Sequence, residues 1–363
     1  MEPEITQGPA LTGTYLMQVD RLESGESGVQ IPAVLPNTLS SGGNAITFTD
    51  PKESEILLPS RAAQRFYLRN YLTNFVNTLN SPGFADPVTG YPAYVNVAPS
   101  IDNHLVVTLC FSVDAFNFSS YFYKARNGKL TFGPIWDFDR ALESKDDARD
   151  DNPRLFRTQA AGWEAFDFFN YSWWGRMFQD TNFWQLWVDR YQQLRPTELS
   201  QASLGALVDG LTVQLRESQV RDAARWPGVT TPRTSFQWEI DHMKEWLTNR
   251  LHFLDTNLLA MPVLNTPGGR IPAGFVLQIT GPATPAGTQV YYTLDGTDPR
   301  LPGGAISPSA SLYTGPVTIT NNAHVVARSR NLNHKNLTGG PSNGNPPATT
   351  PWSGPARARA DTP

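Results

Sequence analysis

Three carboxylates stand close together in the 363-residue chain: Asp114 in Val113-Asp-Ala, and Asp137 and Asp139 in Gly133-Pro-Ile-Trp-Asp-Phe-Asp139. Between the first and the other two lies Asn127-Gly128, flanked by strand-like runs. Asn-Gly in that setting is the strongest short-range hairpin signal. A hairpin carries the chain out and back, so the spacing predicts that Asp114 and Asp137 converge on one cleft. Converging carboxylates repel one another unless a proton or a cation stands between them. Oxygen-only donors beside a loop favour Mg²⁺ or Mn²⁺ over zinc.

The elements that must hold these acids are legible around them. Ile101 to Phe111 is apolar on most of its circumference and predicts a buried helix with Ser100 as N-cap. That helix delivers Asp114 into a loop. Strands are expected at Ser120–Lys124 and from Lys129 to Trp136, with Trp136 and Phe138 turning toward a buried face opposite the two acids. Upstream, Thr14–Val19 reads as a strand, the stretch to Lys52 as turns, and Ser81 to Pro99 as a loop. Arg61–Leu79 reads as a helix, with Leu68, Tyr71, Leu72, Phe75 and Leu79 at three- and four-residue spacing. From Ala165 to Leu259 the pattern is helical, with Phe183, Trp184, Trp187 and Tyr191 on one stripe and a last long helix from Ser235 to Leu258.

Composition breaks near residue 261. The 102 residues that follow hold 13 glycines and 15 prolines, whereas nine of the ten tryptophans fall between Trp136 and Trp246. The fold class is therefore α+β, organised as a body over 1–260 and an all-β module over 262–363. In the module, strands are expected at Phe275–Thr280, Gln289–Leu294, Val317–Ile319 and His324–Arg330, as a small antiparallel sandwich. Gly339–Thr350 reads as a loose loop.

Other features narrow the function. A net charge of −4 gives no electrostatic footprint for nucleic acid. No apolar run is long enough to span a membrane. One cysteine, and five histidines without paired-ligand spacing, exclude a zinc centre of the common kinds. His104 on an apolar helix reads as a satisfied core histidine, Cys110 as a buried apolar residue, and Asp146-Asp147 and Asp150-Asp151 as a solvated loop. Trp173-Trp174 reads as core or groove wall, Lys124 and Arg126 as solvated hairpin charges, and Asp295 and Asp298 as makers of turn hydrogen bonds. A glycosidase needs two carboxylates about 5–10 Å apart across a cleft, and the aromatic-rich helices carry no such pair.

The order helix, loop aspartate, hairpin, Asp-Phe-x is also the layout of a protein-kinase centre. There one aspartate accepts the substrate hydroxyl proton and another holds the metal on the nucleotide phosphates. Ile101-Asp-Asn-His-Leu, Val113-Asp-Ala, Tyr121-Phe-Tyr-Lys and Gly133-Pro-Ile-Trp-Asp-Phe-Asp139 together resemble the spore coat protein H (CotH) kinase family over roughly residues 12 to 260. The resemblance implies an atypical protein-kinase-like body that uses ATP with Mg²⁺ or Mn²⁺ to phosphorylate Ser or Thr of a secreted or surface protein. It implies Asp114 as the catalytic aspartate and Asp137 and Asp139 as metal ligands, with Ser119, Lys124 and Arg126 facing the nucleotide. Two departures stand out. Ser119 occupies the place of a metal-binding Asn, and one acidic position of the common pattern between Lys124 and Arg126 is Ala125. No counterpart of the phosphate-gripping amino-terminal lobe is visible before Thr12, and Met1-Glu-Pro-Glu is no signal peptide. The resemblance therefore implies an amino-terminally truncated chain with weak or no transfer activity.

Val290-Tyr-Tyr-Thr-Leu-Asp-Gly-Thr-Asp-Pro299 and Leu312-Tyr-Thr-Gly-Pro316, with Trp352 near a closing strand, resemble the chitobiase/β-hexosaminidase carboxyl-terminal domain. That implies an immunoglobulin-like sandwich, an accessory piece of secreted bacterial proteins that contacts cell-wall polysaccharide. The competing function class is a non-catalytic surface or cell-wall protein built on a degenerate kinase fold. Both readings imply an extracellular or cell-surface location.

Overall fold

The computed structural model describes residues 5–22, 24, 28, 44–116, 118–144, 148–156, 167–170, 172–334 and 350–362. Its chain divides into two compact units, the first running to Phe183 and the second beginning at Trp184.

The first unit is built from β1 (Tyr15–Arg21), β2 (Asn44–Asp50), α1 (Glu53–Ile56), α2 (Ala62–Leu79), α3 (Val97–Cys110), β3 (Ser120–Lys124), β4 (Leu130–Phe132) and α4 (Ser172–Met177). The strands form one antiparallel sheet in the order β2-β1-β3-β4. The expected strand, helix and hairpin around Tyr15, Ala62 and Ser120 are present. β2 falls in the stretch read as turns. Its Ile46, Thr47 and Phe48 are buried, and that burial, rather than the turn residues before it, decides the local structure.

α3 starts one turn earlier than its apolar pattern indicates. Asn96 is the N-cap, Pro99 sits in the first turn where no N–H is needed, and Ser100 lies inside the helix, its Oγ donating to the Asn96 carbonyl at 2.6 Å. β4 stops at Phe132 instead of continuing to Trp136. Gly133 has a φ of 123° and Pro134 has no N–H to extend the ladder. Trp136 is consequently 58% exposed, which overturns the expected buried face beside the acids.

Aromatic rings fill the space between sheet and helices. Trp173 packs on Phe75, Phe122 and Phe132, and Trp174 on Phe116 and Phe132. His104 is wholly buried among Phe116, Phe169, Trp174 and Phe178, with Nε2 on the Phe168 carbonyl at 2.8 Å. Both readings of these residues as core hold. Cys110 is half-buried rather than buried.

The second unit takes most of α5 (Thr181–Leu194), followed by α6 (Gln201–Leu215), α7 (Ser218–Arg225) and α8 (Phe236–Asn257). Trp184, Trp187 and Tyr191 form a buried stacked stripe on α5. Ser235 caps α8, accepting the Trp238 N–H at 3.1 Å. Beyond α8 run β5 (Val263–Leu264), β6 (Gly269–Arg270), β7 (Phe275–Leu277), β8 (Ile279–Thr280), β9 (Gln289–Thr293), β10 (Ser311–Leu312), β11 (Val317–Ile319), β12 (Ala323–Arg330) and β13 (Ala356–Asp361). A five-stranded sheet, β10-β9-β12-β13-β6, shares one core with the pairs β11-β7 and β5-β8, through Val290, Val325, Ala358, Leu277, Ile319 and Ile279.

Arg328 of β12 is the main ionic centre of this unit. Its guanidinium, 3% exposed, bonds Asp189 of α5, Asp298 and the Ser353 carbonyl, each at 2.6–2.7 Å. Burial alone would raise Asp298, but the hydrogen bond and charge of Arg328 outweigh it and leave that carboxylate low. Asp295 makes the expected turn bonds, to the Thr297 N–H and hydroxyl, whereas Asp298 adds this ion pair to its bond with the Arg300 N–H. The stretch read as a loose loop lies outside the described residues, apart from Thr350. No helix of the described residues is long and apolar enough to cross a membrane.

Candidate functional site

The chain leaves α3 through a run of uncommon backbone. Phe111 closes the helix at a left-handed φ of 52°, and Phe116, Ser119 and Asp137 follow at 73°, 50° and 59°. Non-glycine residues held in that region cost of the order of 1–3 kcal/mol each and gather at functional sites. Here they turn the chain so that the loop after α3 meets the segment leaving β4.

The meeting point is a hydrogen bond from Ser119 Oγ to Asp137 Oδ2 at 2.9 Å. Asp137 in turn faces Asp139. Partial burial, then the hydrogen bond and charge of Asp137, raise the Asp139 pKa. Asp114 raises it further, and Arg140 opposes them. Asp139 thus feels the charge of both Asp137 and Asp114. The rim is aromatic. Tyr121 meets Trp136 edge-on at 6.0 Å, and burial followed by the charges of Asp20 and Asp137 raises its hydroxyl. Arg21 of β1 lies over Phe118 at 4.7 Å.

Asp114 is held by an arginine that the sequence does not single out. Arg149 Nη1 donates to Asp114 Oδ1 at 3.0 Å. Arg149 stands in Asp146-Asp-Ala-Arg-Asp-Asp151, which reads as a solvated acidic loop. Asp146 and Asp147 lie outside the described residues. Asp150, however, is buried, with Oδ2 accepting the Glu143 N–H at 2.7 Å. The one basic residue in that acidic run was the available signal.

Lys124 and Arg126 are placed differently. Lys124 is buried, donating to the carbonyls of Thr12 at 2.9 Å and Ala125 at 3.2 Å, with its ammonium 4.9 Å from the Tyr71 ring centre. Burial lowers its pKa. It is not the solvated hairpin charge expected. It fastens residue 12 to the hairpin, where Gly13 packs so closely that a Cβ would lie 2.3 Å from the Arg126 nitrogen. Arg126 is exposed at the hairpin turn.

The donor set tests the implied cation. Among the described residues no group of three or more His, Cys, Asp or Glu is gathered closely enough to hold a metal ion by itself. Two carboxylates and a hydroxyl at Asp137, Asp139 and Ser119 nevertheless fit Mg²⁺ or Mn²⁺. Magnesium is commonly held by one or two carboxylates plus substrate phosphates rather than by an all-protein cage. Burial, and after it the Asp137 and Asp114 carboxylates, raise Asp139, and a cation at this pair would offset the like-charge part of that rise.

The CotH kinase protein family matches residues 39–254, and the Fn3-associated family matches residues 277–337. The chain belongs to the CotH kinase family. No curated protein matches it.

Proposed function

We propose that this protein is an atypical kinase that transfers the γ-phosphoryl group of ATP to Ser or Thr of a secreted or surface protein. The single observation that carries the reading is the Ser119–Asp137 bond beside Asp139, whose carboxyl is raised by partial burial and then by Asp137 and Asp114. Asp137 and Asp139, with Ser119, are the residues that would hold Mg²⁺ or Mn²⁺. The cation, when bound, draws charge from the phosphates. Asp114 accepts the proton of the acceptor hydroxyl. The acceptor oxygen bonds to the γ-phosphorus while the bond to the β–γ bridging oxygen breaks, and ADP leaves with that electron pair. The carboxylates beside Ser119 and the family membership support this assignment. The β-rich part, in this reading, is an immunoglobulin-like accessory sandwich of the chitobiase carboxyl-terminal kind, and the protein acts outside the cell or at its surface. The two segments 1–260 and 262–363 are its functional domains.

One observation favours a second reading, a non-catalytic surface protein. Lys124, which the resemblance turns toward nucleotide, is engaged by backbone carbonyls. Titration of nucleotide with and without Mn²⁺, beside transfer of labelled phosphate to a Ser-rich surface protein, separates the two. Asp137→Asn is expected to abolish metal-dependent binding. Asp114→Asn is expected to leave binding intact and cut transfer by about 10²-fold or more, the scale of losing a general base. Equal, metal-independent behaviour of all three proteins would establish the second reading.

A further inference from the structure

We propose that Arg149 is the positioning residue for Asp114, fixing one carboxylate oxygen so that the other is presented to the acceptor hydroxyl. The inference rests on the phosphotransfer reading above. Arg149 Nη1 holds Asp114 Oδ1 at 3.0 Å, and the side chains are 9% and 28% exposed, so the arginine is sheltered while the acid keeps a solvent-facing side. With Oδ1 engaged, Oδ2 is the oxygen left to receive a proton. In the transfer step that proton moves from the acceptor hydroxyl to Oδ2 as the new P–O bond forms and the bond to the bridging oxygen breaks. It is then released to solvent after ADP leaves.

The surroundings fix the arginine in turn. The Leu142 N–H donates to the Cys110 carbonyl at 3.0 Å, at the end of α3, and the Glu143 N–H donates to Asp150 at 2.7 Å. The segment carrying Arg149 is therefore tied to the helix end from which Asp114 departs four residues later. Asp114 is also fixed through its backbone, where its carbonyl accepts the Phe118 N–H at 2.7 Å. This closed circuit orients the carboxylate before substrate arrives. A lysine in place of Arg149 would keep the charge but lose the planar, directional fork. Arg149 bonds the proton-accepting Asp114 directly, whereas Ser119 bonds Asp137, so removing Arg149 should act first on the proton-accepting group.

The test compares Arg149→Met, Arg149→Lys, Asp114→Asn and the double variant in the full chain. It measures kcat and KM for ATP with Mn²⁺, Mn²⁺-dependent nucleotide binding, and ATP hydrolysis with water as acceptor. Arg149→Met should lower kcat by about 10- to 10²-fold, the scale of misplacing a reacting group by an ångström. KM and nucleotide binding should stay within about twofold, since neither reports the proton-accepting group. Arg149→Lys should recover part of the loss. In the Asp114→Asn background the Met substitution should cost nothing further, because the group it positions is gone. That double variant also removes both partners of the pair, which keeps the comparison open if Arg149→Met alone folds poorly. An unchanged kcat in Arg149→Met, or an equal loss in the Asp114→Asn background, overturns the proposal while leaving the phosphotransfer reading intact. A wild-type chain with neither transfer nor hydrolysis overturns both.

Discussion

His104 shows at the level of one residue how burial sets chemistry. Buried among four aromatic rings, it has a pKa lowered by desolvation to about 3, despite the opposing bond to the Phe168 carbonyl. The unfolded chain takes up a proton near the ordinary value of about 6.5, and the folded chain does not. Stability linked to His104 is therefore full above about pH 6.5 and is lost as the pH falls toward 3, by up to about 1.4 kcal/mol per pH unit. Thermal unfolding at pH 7.5 and pH 5.0 should show a larger drop for the wild type than for His104→Gln, whose amide can reach the same carbonyl without titrating. The core reading of His104 followed from its place on an apolar helix. Arg149 is marked locally only as the one basic residue of an acidic run, and nothing in that run names its partner, which lies 35 positions away. Asp137 and Asp139 were visible through spacing, but the left-handed backbone at Asp137 has no local signal and belongs to the way the chain leaves β4.

Among the elements, α8 is the most nearly legible from sequence: Ser235, predicted as its start, is the cap. Ser235→Ala removes the acceptor for the Trp238 N–H and should lower stability by about 1 kcal/mol, read as a shift in the denaturation midpoint. Helix starts are harder where a proline intervenes. Pro99 reads as a loop residue, yet the first turn of α3 tolerates it. Strand ends fail for a related reason. Leu130 to Trp136 is strand-forming at both ends but interrupted by Gly133-Pro134, and the backbone there takes Ile135 and Trp136 out of the sheet into solvent. That departure is what brings Asp137 back toward Ser119. The element that looks truncated as a strand is, for the site, the element that turns at the required place.

At the scale of the molecule, Arg328 joins segments that composition divides. Its partners Asp189 and Asp298 lie on either side of the composition break near residue 261. Gln185 and Gln192 of α5 add bonds to the Ser353 carbonyl and from the Gly354 N–H. Arg328→Met leaves two carboxylates facing each other across a buried site and should cost about 3–5 kcal/mol, measured by chemical denaturation of the full chain. The β strands carry their own apolar core, whereas in the sequence the module is marked by its glycine- and proline-rich composition and its turn clusters. The ion cluster could not be read, because its members lie 30 and 139 positions from Arg328. This arrangement bears on how such a chain can be inherited. A recombination event with its crossover near residue 261 would pass on Arg328 and Asp298 and leave Asp189 behind. Any lineage exchanging the β-rich segment at that boundary must then supply an anion from its own α5 or lose the buried arginine. Asp189 and Arg328 are thus expected to be gained and lost together.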